Sequence, residues 1–294
     1  MSAPSSASAS LEGSNPERAA TVALANQKGG VGKTTTAVNT AVILASAGYR
    51  ILLVDLDPQG NATSSLGIDK ADLLYTSYDV LVDALPLGQA VAVTDRRNLD
   101  LVPATANLAG AEVDLVPLSR REQRLANALQ SVKERYQLIL IDCPPSLGLL
   151  TVNGLTAADS VVIPIQCEFL ALEGVSQLVT TIDLVRRGLN PTLEILGVLL
   201  TMYDGRTRLS THVVQEVRQF FGEKVFDAII PRSIRLAEAP SFGQAIPEYD
   251  ASSRGAIAYR QFVEELKGRL GLPAPVSPTA ATMRSSQPTG ISGS

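Results

Sequence analysis

Short apolar runs alternate along this chain with longer stretches that have the periodicity of amphipathic helices. The runs are continuously apolar, as expected of strands covered on both faces of a sheet. They lie at residues 21–26, 51–55, 99–103, 138–142, 160–165, 195–202 and 228–230. The helix-like stretches lie at residues 34–47, 120–135, 147–157, 172–187, 209–221 and 253–270. This order predicts an α/β fold with one mostly parallel sheet and helices on both of its faces.

The two ends of the chain differ in composition from the part between them. Residues 1–18 and 271–294 are rich in Ser, Ala, Pro or Thr and lack apolar periodicity. Such segments cannot bury enough apolar surface to offset the entropy cost of ordering them. We therefore predict two disordered tails and a single folded domain at residues 19–270, which is long enough to bury a sizeable core.

The composition argues against several classes of protein. The chain has no apolar run of about 18 residues and no basic segment leading into an apolar stretch at its start, so we expect neither a membrane span nor a secretory signal. Two cysteines, Cys143 and Cys167, are too few for a disulfide framework. A single histidine, His212, disfavours His-based zinc catalysis. A net charge of −4 argues against a histone-like polyanion binder and leaves a local basic face open. Together these observations predict a soluble, cytoplasmic protein.

A glycine-rich loop separates the first predicted strand from the first predicted helix. Glycines let successive backbone N–H groups converge on an anion, and the helix that follows adds its N-terminal dipole. Lys33 is placed to reach the β- and γ-phosphates of a nucleotide, and the Thr34 hydroxyl to ligate Mg²⁺. The strict P-loop pattern has a glycine six residues before this lysine, where this chain has Gln27. The loop residues predicted to bind nucleotide are Gln27, Lys28, Gly29, Gly30, Val31, Gly32, Lys33, Thr34 and Thr35.

Two further acidic motifs follow predicted strands. Asp55 and Asp57 are two residues apart at the end of the second strand, where their side chains project to the same side. A carboxylate there could orient the attacking water or reach Mg²⁺ through a water. The run at residues 138–141 delivers Asp142, which has the pattern of a Walker B carboxylate in the Mg²⁺ shell.

The loop Lys28-Gly29-Gly30-Val31-Gly32-Lys33-Thr34 resembles the deviant Walker A loop of the ParA/MinD class of P-loop ATPases. The wider sequence resembles the ParA/Soj chromosome-partitioning ATPases over about residues 20–268. The segments that carry this resemblance are residues 55–63, 102–112, 142–150, 165–174, 199–206 and 230–242.

This resemblance implies a single P-loop NTPase domain that hydrolyses ATP to ADP and phosphate with Mg²⁺. ATP would join two subunits into a homodimer, the dimer would bind double-stranded DNA without sequence preference, and a ParB-type centromere-binding partner would stimulate hydrolysis. Such a protein would be cytoplasmic and nucleoid-associated, without a membrane partner. By the same resemblance, Lys28 acts on the nucleotide of the other subunit and Lys33 on its own, Asp57 positions water, and Thr34, Asp57 and Asp142 form the metal site.

The resemblance also points to residues late in the chain. The adenine would lie near Met202, Pro231 and Arg232. The arginine segments that contact DNA in the family match Arg206 and Arg235, with Arg208 and Arg218 as further candidates. The charge of this segment supports DNA binding only weakly, because residues 201–240 hold six basic and five acidic side chains.

Two other functions stay open. A MinD-like ATPase that cycles on a membrane would need a basic amphipathic C-terminal helix, whereas this end is rich in Ser, Pro and Thr. A metabolic P-loop enzyme, such as a dethiobiotin synthetase or a metal-centre maturation NTPase, would need a substrate pocket with further ligands, and the sequence shows no such cluster. DNA co-sedimentation with and without liposomes separates the three functions.

Overall fold

A computed structural model describes residues 19–169 and 171–275. The predicted N-terminal tail and most of the predicted C-terminal tail lie outside the described residues. Residues 272–275, which are described, form neither helix nor strand.

The domain is built on one sheet of eight strands. The strands are β1 (Ala20–Leu24), β2 (Ile51–Asp55), β3 (Ala92–Val93), β4 (Leu99–Val102), β5 (Leu138–Asp142), β6 (Ser160–Gln166), β7 (Glu194–Tyr203) and β8 (Val225–Pro231). Their order across the sheet is β3-β4-β2-β5-β1-β6-β7-β8. All neighbours pair in parallel except β3, which is antiparallel to β4. The predicted mostly parallel α/β sheet is therefore confirmed.

Each of the seven apolar runs forms a strand, because both faces of the sheet are covered. β2 and β5 are buried at every position, which explains why their sequences do not alternate. The sequence did not predict β3. It has only two residues at the edge of the sheet, and the Val93 side chain is largely exposed. A strand this short leaves no periodic signal.

Eleven α-helices surround the sheet in the described part of the chain. They are α1 (Lys33–Ser46), α2 (Asn61–Ser65), α3 (Ser77–Leu81), α4 (Ala111–Asp114), α5 (Arg124–Leu129), α6 (Leu149–Ala157), α7 (Glu173–Gly188), α8 (Arg208–Phe221), α9 (Ile234–Glu238), α10 (Ile246–Tyr249) and α11 (Arg254–Leu270). One core layer packs α3 to α8 on one face of the sheet, and a second packs α1, α2, α10 and α11 on the other. Helices on both faces are therefore confirmed.

The predicted helix at residues 120–135 is wrong in its length. Only Arg124–Leu129 is α-helical, between single 3₁₀ turns at Arg121–Gln123 and Lys133–Arg135. The Asn153 side chain accepts a hydrogen bond from the Leu125 N–H (3.1 Å) and donates one to the Arg121 carbonyl (2.8 Å). These bonds satisfy backbone groups that a continuous helix would pair within itself.

The strand order places a crevice at the carboxyl ends of the central strands. The chain crosses from β1 to β2 on one side and from β5 to β6 on the other, so the direction of connection reverses around β1. Open parallel sheets bind ligands at such a switch point. The loops that follow β1, β2 and β5 meet there, and they carry the glycine-rich loop, the Asp55–Asp57 pair and Asp142.

Candidate nucleotide site

The glycine-rich loop turns sharply into α1, which begins at Lys33. Gly30 and Gly32 adopt left-handed backbone angles, with φ of 73° and 88°, so a side chain at either position would be strained. Two polar side chains outside the loop hold it: Asn26 accepts a hydrogen bond from the Lys28 N–H (3.0 Å), and the Thr201 hydroxyl donates one to the Val31 carbonyl (2.9 Å). The bend is thus fixed before any nucleotide binds.

The two lysines of the loop point in different directions. The Lys33 side chain is buried, and its Nζ donates to the Lys28 carbonyl at 3.2 Å. Burial lowers the pKa of Lys33, while the Asp142 and Asp57 carboxylates act in the opposite direction. The Lys28 side chain is exposed to solvent. One ammonium therefore faces the interior of the loop and the other is available to a second molecule.

Asp142 ends β5, with Leu24 and Asp55 opposite it on the two neighbouring strands. Its carboxylate is fully buried, and neither oxygen accepts a hydrogen bond of normal geometry among the described residues. Burial, reinforced by the nearby Asp55 carboxylate, raises its pKa well above the usual value, although Thr34 and Lys33 lie close enough to oppose the rise. A buried carboxylate without a partner is costly unless a cation completes its surroundings, so this position fits a divalent ion.

Asp55 and Asp57 have different tasks although both follow β2. The fully buried Asp55 carboxylate accepts hydrogen bonds from the Asp57 N–H (3.1 Å), the Thr63 N–H (2.9 Å) and the Thr63 hydroxyl (2.8 Å). Burial raises the pKa of Asp55 to about 6, and the Thr63 and Asp57 bonds oppose that rise. Asp55 thus stabilises the loop between β2 and α2 through buried hydrogen bonds.

The Asp57 carboxylate is freer than that of Asp55. One of its oxygens accepts the Gln59 N–H at 2.9 Å, and the side chain keeps slight solvent access, with 7% of its surface exposed. Asp57 is therefore the carboxylate of this pair that can reach a water or a hydrated ion.

The described residues contain no group of three or more His, Cys, Asp and Glu side chains that could hold a metal ion by themselves. A Mg²⁺ ion here would therefore depend on oxygen ligands of mixed origin: the Thr34 hydroxyl, carboxylates through water, and phosphates of the nucleotide. This is the usual donor set for Mg²⁺, which keeps several waters and binds substrate phosphates.

Helix α1 connects the loop to the C-terminal helices. The Asn39 amide donates to the Thr35 carbonyl (2.7 Å), and its oxygen accepts the Ile246 N–H at the start of α10 (2.7 Å). The buried Thr36 hydroxyl shares a hydrogen bond with the Tyr259 hydroxyl of α11 at 3.2 Å. A change at the phosphate loop can therefore reach α10 and α11 through one helix.

Five of the seven late-chain candidates line one of two clefts, and Met202 and Arg208 line neither. One cleft of about 700 Å³ brings Arg206, Pro231, Arg232 and Arg235 together. Met202, predicted beside the adenine, does not line it, whereas the adjacent Tyr203 does. Arg218 lies in a smaller cleft of about 370 Å³, and Arg208 is exposed at the first residue of α8. The residues of the larger cleft are called the arginine cleft below.

Three arginines of the arginine cleft are paired with carboxylates of this chain. Arg206 makes two hydrogen bonds to the Asp204 carboxylate, at 2.7 and 2.9 Å. Arg232 pairs with Glu168, and Arg235 with Glu238 at 3.2 Å. All three side chains remain more than half exposed, so these pairs are weak and can exchange for a phosphate.

Comparison with known proteins identifies the family. Residues 19–195 match the family described as "AAA domain". The sporulation initiation inhibitor protein Soj of Bacillus subtilis is 57% identical over 83% of this chain and 97% of its own length. The chromosome partitioning protein ParA of Myxococcus xanthus is 54% identical over 84% of this chain and 88% of its own length. The chain belongs to the Soj/ParA family of chromosome-partitioning ATPases.

A solved structure agrees with the Soj/ParA fold. It is described as a cobyrinic acid a,c-diamide synthase from Mycobacterium smegmatis with bound ADP and magnesium. It is 41% identical, covers 88% of this chain and 100% of its own, and superposes with a TM-score of 0.76. Within the described residues, no helix has both the length and the apolar character needed to cross a membrane.

Sequence reasoning missed several residues that shape this Soj/ParA site. They are the polar residues Asn26, Asn39, Thr63 and Thr201. Their side chains bond backbone groups far away in the sequence, which leaves no local pattern. Arg254 also lines the arginine cleft and is exposed at the first residue of α11. Ser253, a typical N-cap residue, indicated where α11 begins but not that Arg254 would line this cleft.

Proposed function

We propose that this chain is an ATP-dependent switch that drives chromosome or plasmid segregation. ATP with Mg²⁺ joins two copies, the homodimer binds double-stranded DNA without sequence preference, and a ParB-type partner stimulates hydrolysis to ADP and phosphate, which releases the DNA. The chain then works in the cytoplasm on the nucleoid. The observation that carries this proposal is the division of the two loop lysines, with Lys33 buried beside the carboxylates and Lys28 exposed.

The phosphate loop binds the nucleotide through residues 27–35. The left-handed Gly30 and Gly32 expose backbone N–H groups to the phosphates. The Lys33 ammonium exchanges the Lys28 carbonyl for phosphate oxygens, a stronger, charge-assisted interaction. Thr34 and Thr35, in the first turn of α1, add hydroxyls and the N-terminal dipole of the helix.

The metal site is formed by Thr34, Asp57 and Asp142. The unpartnered carboxylate of Asp142 supports this assignment. When bound, Mg²⁺ supplies the positive charge that neutralises the phosphates. Asp57 holds the attacking water in line, since phosphoryl transfer depends chiefly on positioning and charge stabilisation. Asp55 cannot share that task because three hydrogen bonds already hold its carboxylate.

Lys28 contributes to the nucleotide site of the partner subunit. Its exposed side chain lies on the same loop as the phosphate site, so two such loops facing each other would bring each Lys28 to the opposite nucleotide. Because a desolvated charge pair across an interface is strong, this contact would make dimerisation depend on ATP.

The arginine cleft supplies the DNA contacts. Arg206 and Arg235 are its main candidates, with Arg208 and Arg218 outside it as further contacts. Pro231 and Arg232 line the same cleft and are assigned to the adenine. Contacts from arginine to phosphate carry no base information, which agrees with binding that has no sequence preference.

A co-sedimentation experiment tests this function. The purified chain is mixed with ATP or ADP and either with double-stranded DNA or with vesicles of anionic lipid. We expect sedimentation with DNA in ATP, little in ADP, and none with vesicles. Vesicle binding in ATP would instead favour a membrane-cycling ATPase, and binding to neither would favour a metabolic enzyme.

A second experiment tests the partner. It measures whether the ParB-type protein of the same genome stimulates ATP hydrolysis by this chain.

A further inference from the structure

Four apolar side chains are exposed on two neighbouring segments near the nucleotide site. Leu74 and Tyr75 precede α3, with 88% and 42% of their surface exposed. Val113 and Val116 lie in and directly after α4, with 71% and 52% exposed. Scattered single exposures are normal, whereas a group on adjacent segments marks an interaction site. Residues 69–83 and 104–116 are called the α3–α4 surface below.

Direct contacts join the two segments. The Tyr78 hydroxyl of α3 donates to the Asp114 carboxylate of α4 at 2.8 Å. The Ser77 N–H donates to the Pro103 carbonyl at the end of β4 at 2.8 Å. The exposed apolar side chains thus lie on either side of a junction that these hydrogen bonds hold together.

The two segments of the α3–α4 surface are strongly acidic. They contain one lysine and six acidic residues, namely Asp69, Asp72, Asp79, Asp83, Glu112 and Asp114. The lysine, Lys70, already donates through Nζ to the Gln59 carbonyl at 2.7 Å. The segments therefore carry a charge of −5, against −4 for the whole chain.

The α3–α4 surface contacts the catalytic loops at two points. Lys70 holds the carbonyl of Gln59, and the N–H of Gln59 donates to the Asp57 carboxylate at 2.9 Å. On the other side, Glu112 accepts the Leu149 N–H at 2.8 Å, at the start of the helix that follows Asp142. Lys70 and Gln59 therefore connect this surface to the Asp57 carboxylate through two hydrogen bonds.

We propose that the α3–α4 surface docks a cationic polypeptide segment with apolar side chains, and that docking adjusts Asp57 through Lys70 and Gln59. This inference rests on the proposed function, since the segment belongs to the partner that stimulates hydrolysis. The charge decides the occupant: an acidic face repels DNA, anionic lipid and an identical face of a second copy, whereas a cationic chain complements it.

Two double variants test the surface. Leu74→Ser with Val113→Ser removes apolar area, and Asp72→Lys with Asp83→Lys reverses charge at exposed positions. The matched controls are Leu184→Ser, an exposed apolar residue of α7, and Glu194→Lys, at the exposed first residue of β7. The probe is the dye-labelled ParB-type protein of the same genome, with the full chain in ATP and Mg²⁺. Binding is measured by anisotropy and hydrolysis by phosphate release.

We expect both double variants to bind the probe about tenfold more weakly or worse, because each removes contacts at the centre of the interface. Their unstimulated hydrolysis and their dimer mass in ATP should equal those of the wild type and the controls. Lys70→Ala tests the relay: it should bind the probe but show reduced stimulation. Full stimulation of Lys70→Ala would overturn the relay.

Three other outcomes are decisive. Wild-type stimulation with undiminished binding by both double variants would overturn the surface while the proposed function stands. Loss of ATP-dependent dimers in the double variants would make this face a contact between subunits, which also overturns the docking proposal. A wild-type chain that neither binds nor responds to the probe would overturn both the surface and the proposed partner.

Discussion

The region around the phosphate loop and the arginine cleft differ in how far their charged side chains are buried. Around the phosphate loop, charged groups are buried: Lys33, Asp55, Asp57 and Asp142 each expose less than a tenth of their surface. In the arginine cleft, the charged groups are exposed, and Arg206, Arg232 and Arg235 each have a carboxylate neighbour. Around the phosphate loop, the buried Asp142 carboxylate lacks a partner. In the arginine cleft, these three arginines already have one.

This difference decides how clearly each region indicates its ligand. A buried carboxylate without a hydrogen bond, such as that of Asp142, is costly and so points to a missing cation. An exposed arginine beside an aspartate costs little whether or not DNA is present. Substitutions on the phosphate side should therefore have large effects, and substitutions in the arginine cleft should have graded ones.

Removal of the Lys33 charge should have the largest effect. Lys33→Ala should lose about 2–5 kcal/mol of ATP-binding free energy, because the phosphates would be desolvated without their partner charge. Titration calorimetry with ATP and Mg²⁺ measures this loss. Lys224→Ala is the matched control, since its ammonium is held by the Ile195 carbonyl far from the loop. ATP binding by Lys33→Ala at wild-type affinity would contradict the site.

Substitution of the exposed loop lysine should separate binding from dimerisation. Lys28→Ala should still bind ATP, because Lys33 and the backbone of the loop remain. It should lose the ATP-dependent dimer, because the charge proposed to contact the nucleotide of the other subunit is gone. Light scattering after size-exclusion chromatography in ATP and in ADP gives the mass. If Lys28→Ala forms dimers in ATP as the wild type does, Lys28 does not act on the nucleotide of the other subunit.

The two aspartates after β2 should respond differently. Asp57→Ala should bind ATP and dimerise, but its hydrolysis should slow by about 10²-fold because the attacking water loses its acceptor. Phosphate release under single-turnover conditions measures the rate. Unchanged turnover would place the acceptor elsewhere.

Asp55→Asn should lower the stability of the fold more than the rate of hydrolysis. The amide would turn a donor toward the N–H and hydroxyl groups that now donate to Asp55, which costs about 1–3 kcal/mol. For a domain of this size that corresponds to a fall in Tm of roughly 2–4 °C per kcal/mol. Differential scanning calorimetry measures it. A rate defect in Asp55→Asn without any change in Tm would reverse the two assignments.

The sequence predicted the sheet and the phosphate loop because both rest on local patterns. Seven continuous apolar runs gave seven strands, and the Gly-Lys-Thr order placed the loop between β1 and α1. It could not separate Asp55 from Asp57, since the difference depends on Thr63, eight residues further on. The predicted helix at residues 120–135 is shorter for a similar reason. The distant Asn153 side chain bonds backbone groups at the start of that stretch.

The arginine cleft was harder to predict for the same physical reason. Its members come from the ends of β7 and β8 and the starts of α9 and α11, so no single segment is strongly basic. Family resemblance indicated Arg206 and Arg235, but Arg254 enters the cleft only through the packing of α11. Tyr203 lines the cleft and Met202 does not, while the position of Met202 beside the adenine stays a prediction.

The DNA contacts should show the smallest effect per substitution. Arg206 and Arg235 each have to leave a carboxylate before they reach a phosphate, so Arg206→Ala and Arg235→Ala should each weaken DNA binding only several-fold. Both variants should keep their ATP-dependent dimers, since neither residue lies in the phosphate loop. Arg50→Ala, at an exposed position before β2, is the matched control.

Salt dependence gives the sharper measure of these contacts. A dimer carries each arginine twice, so one substitution removes two phosphate contacts, and the slope of log affinity against log salt should fall by about two. The loss should be equal on two unrelated duplexes, because phosphate contacts carry no sequence information. Fluorescence anisotropy across a salt series, in ATP and in ADP, measures both quantities. If a variant with both Arg206→Ala and Arg235→Ala keeps the wild-type slope, the arginine cleft is not the DNA surface. A loss on one duplex alone would mean that these arginines read bases.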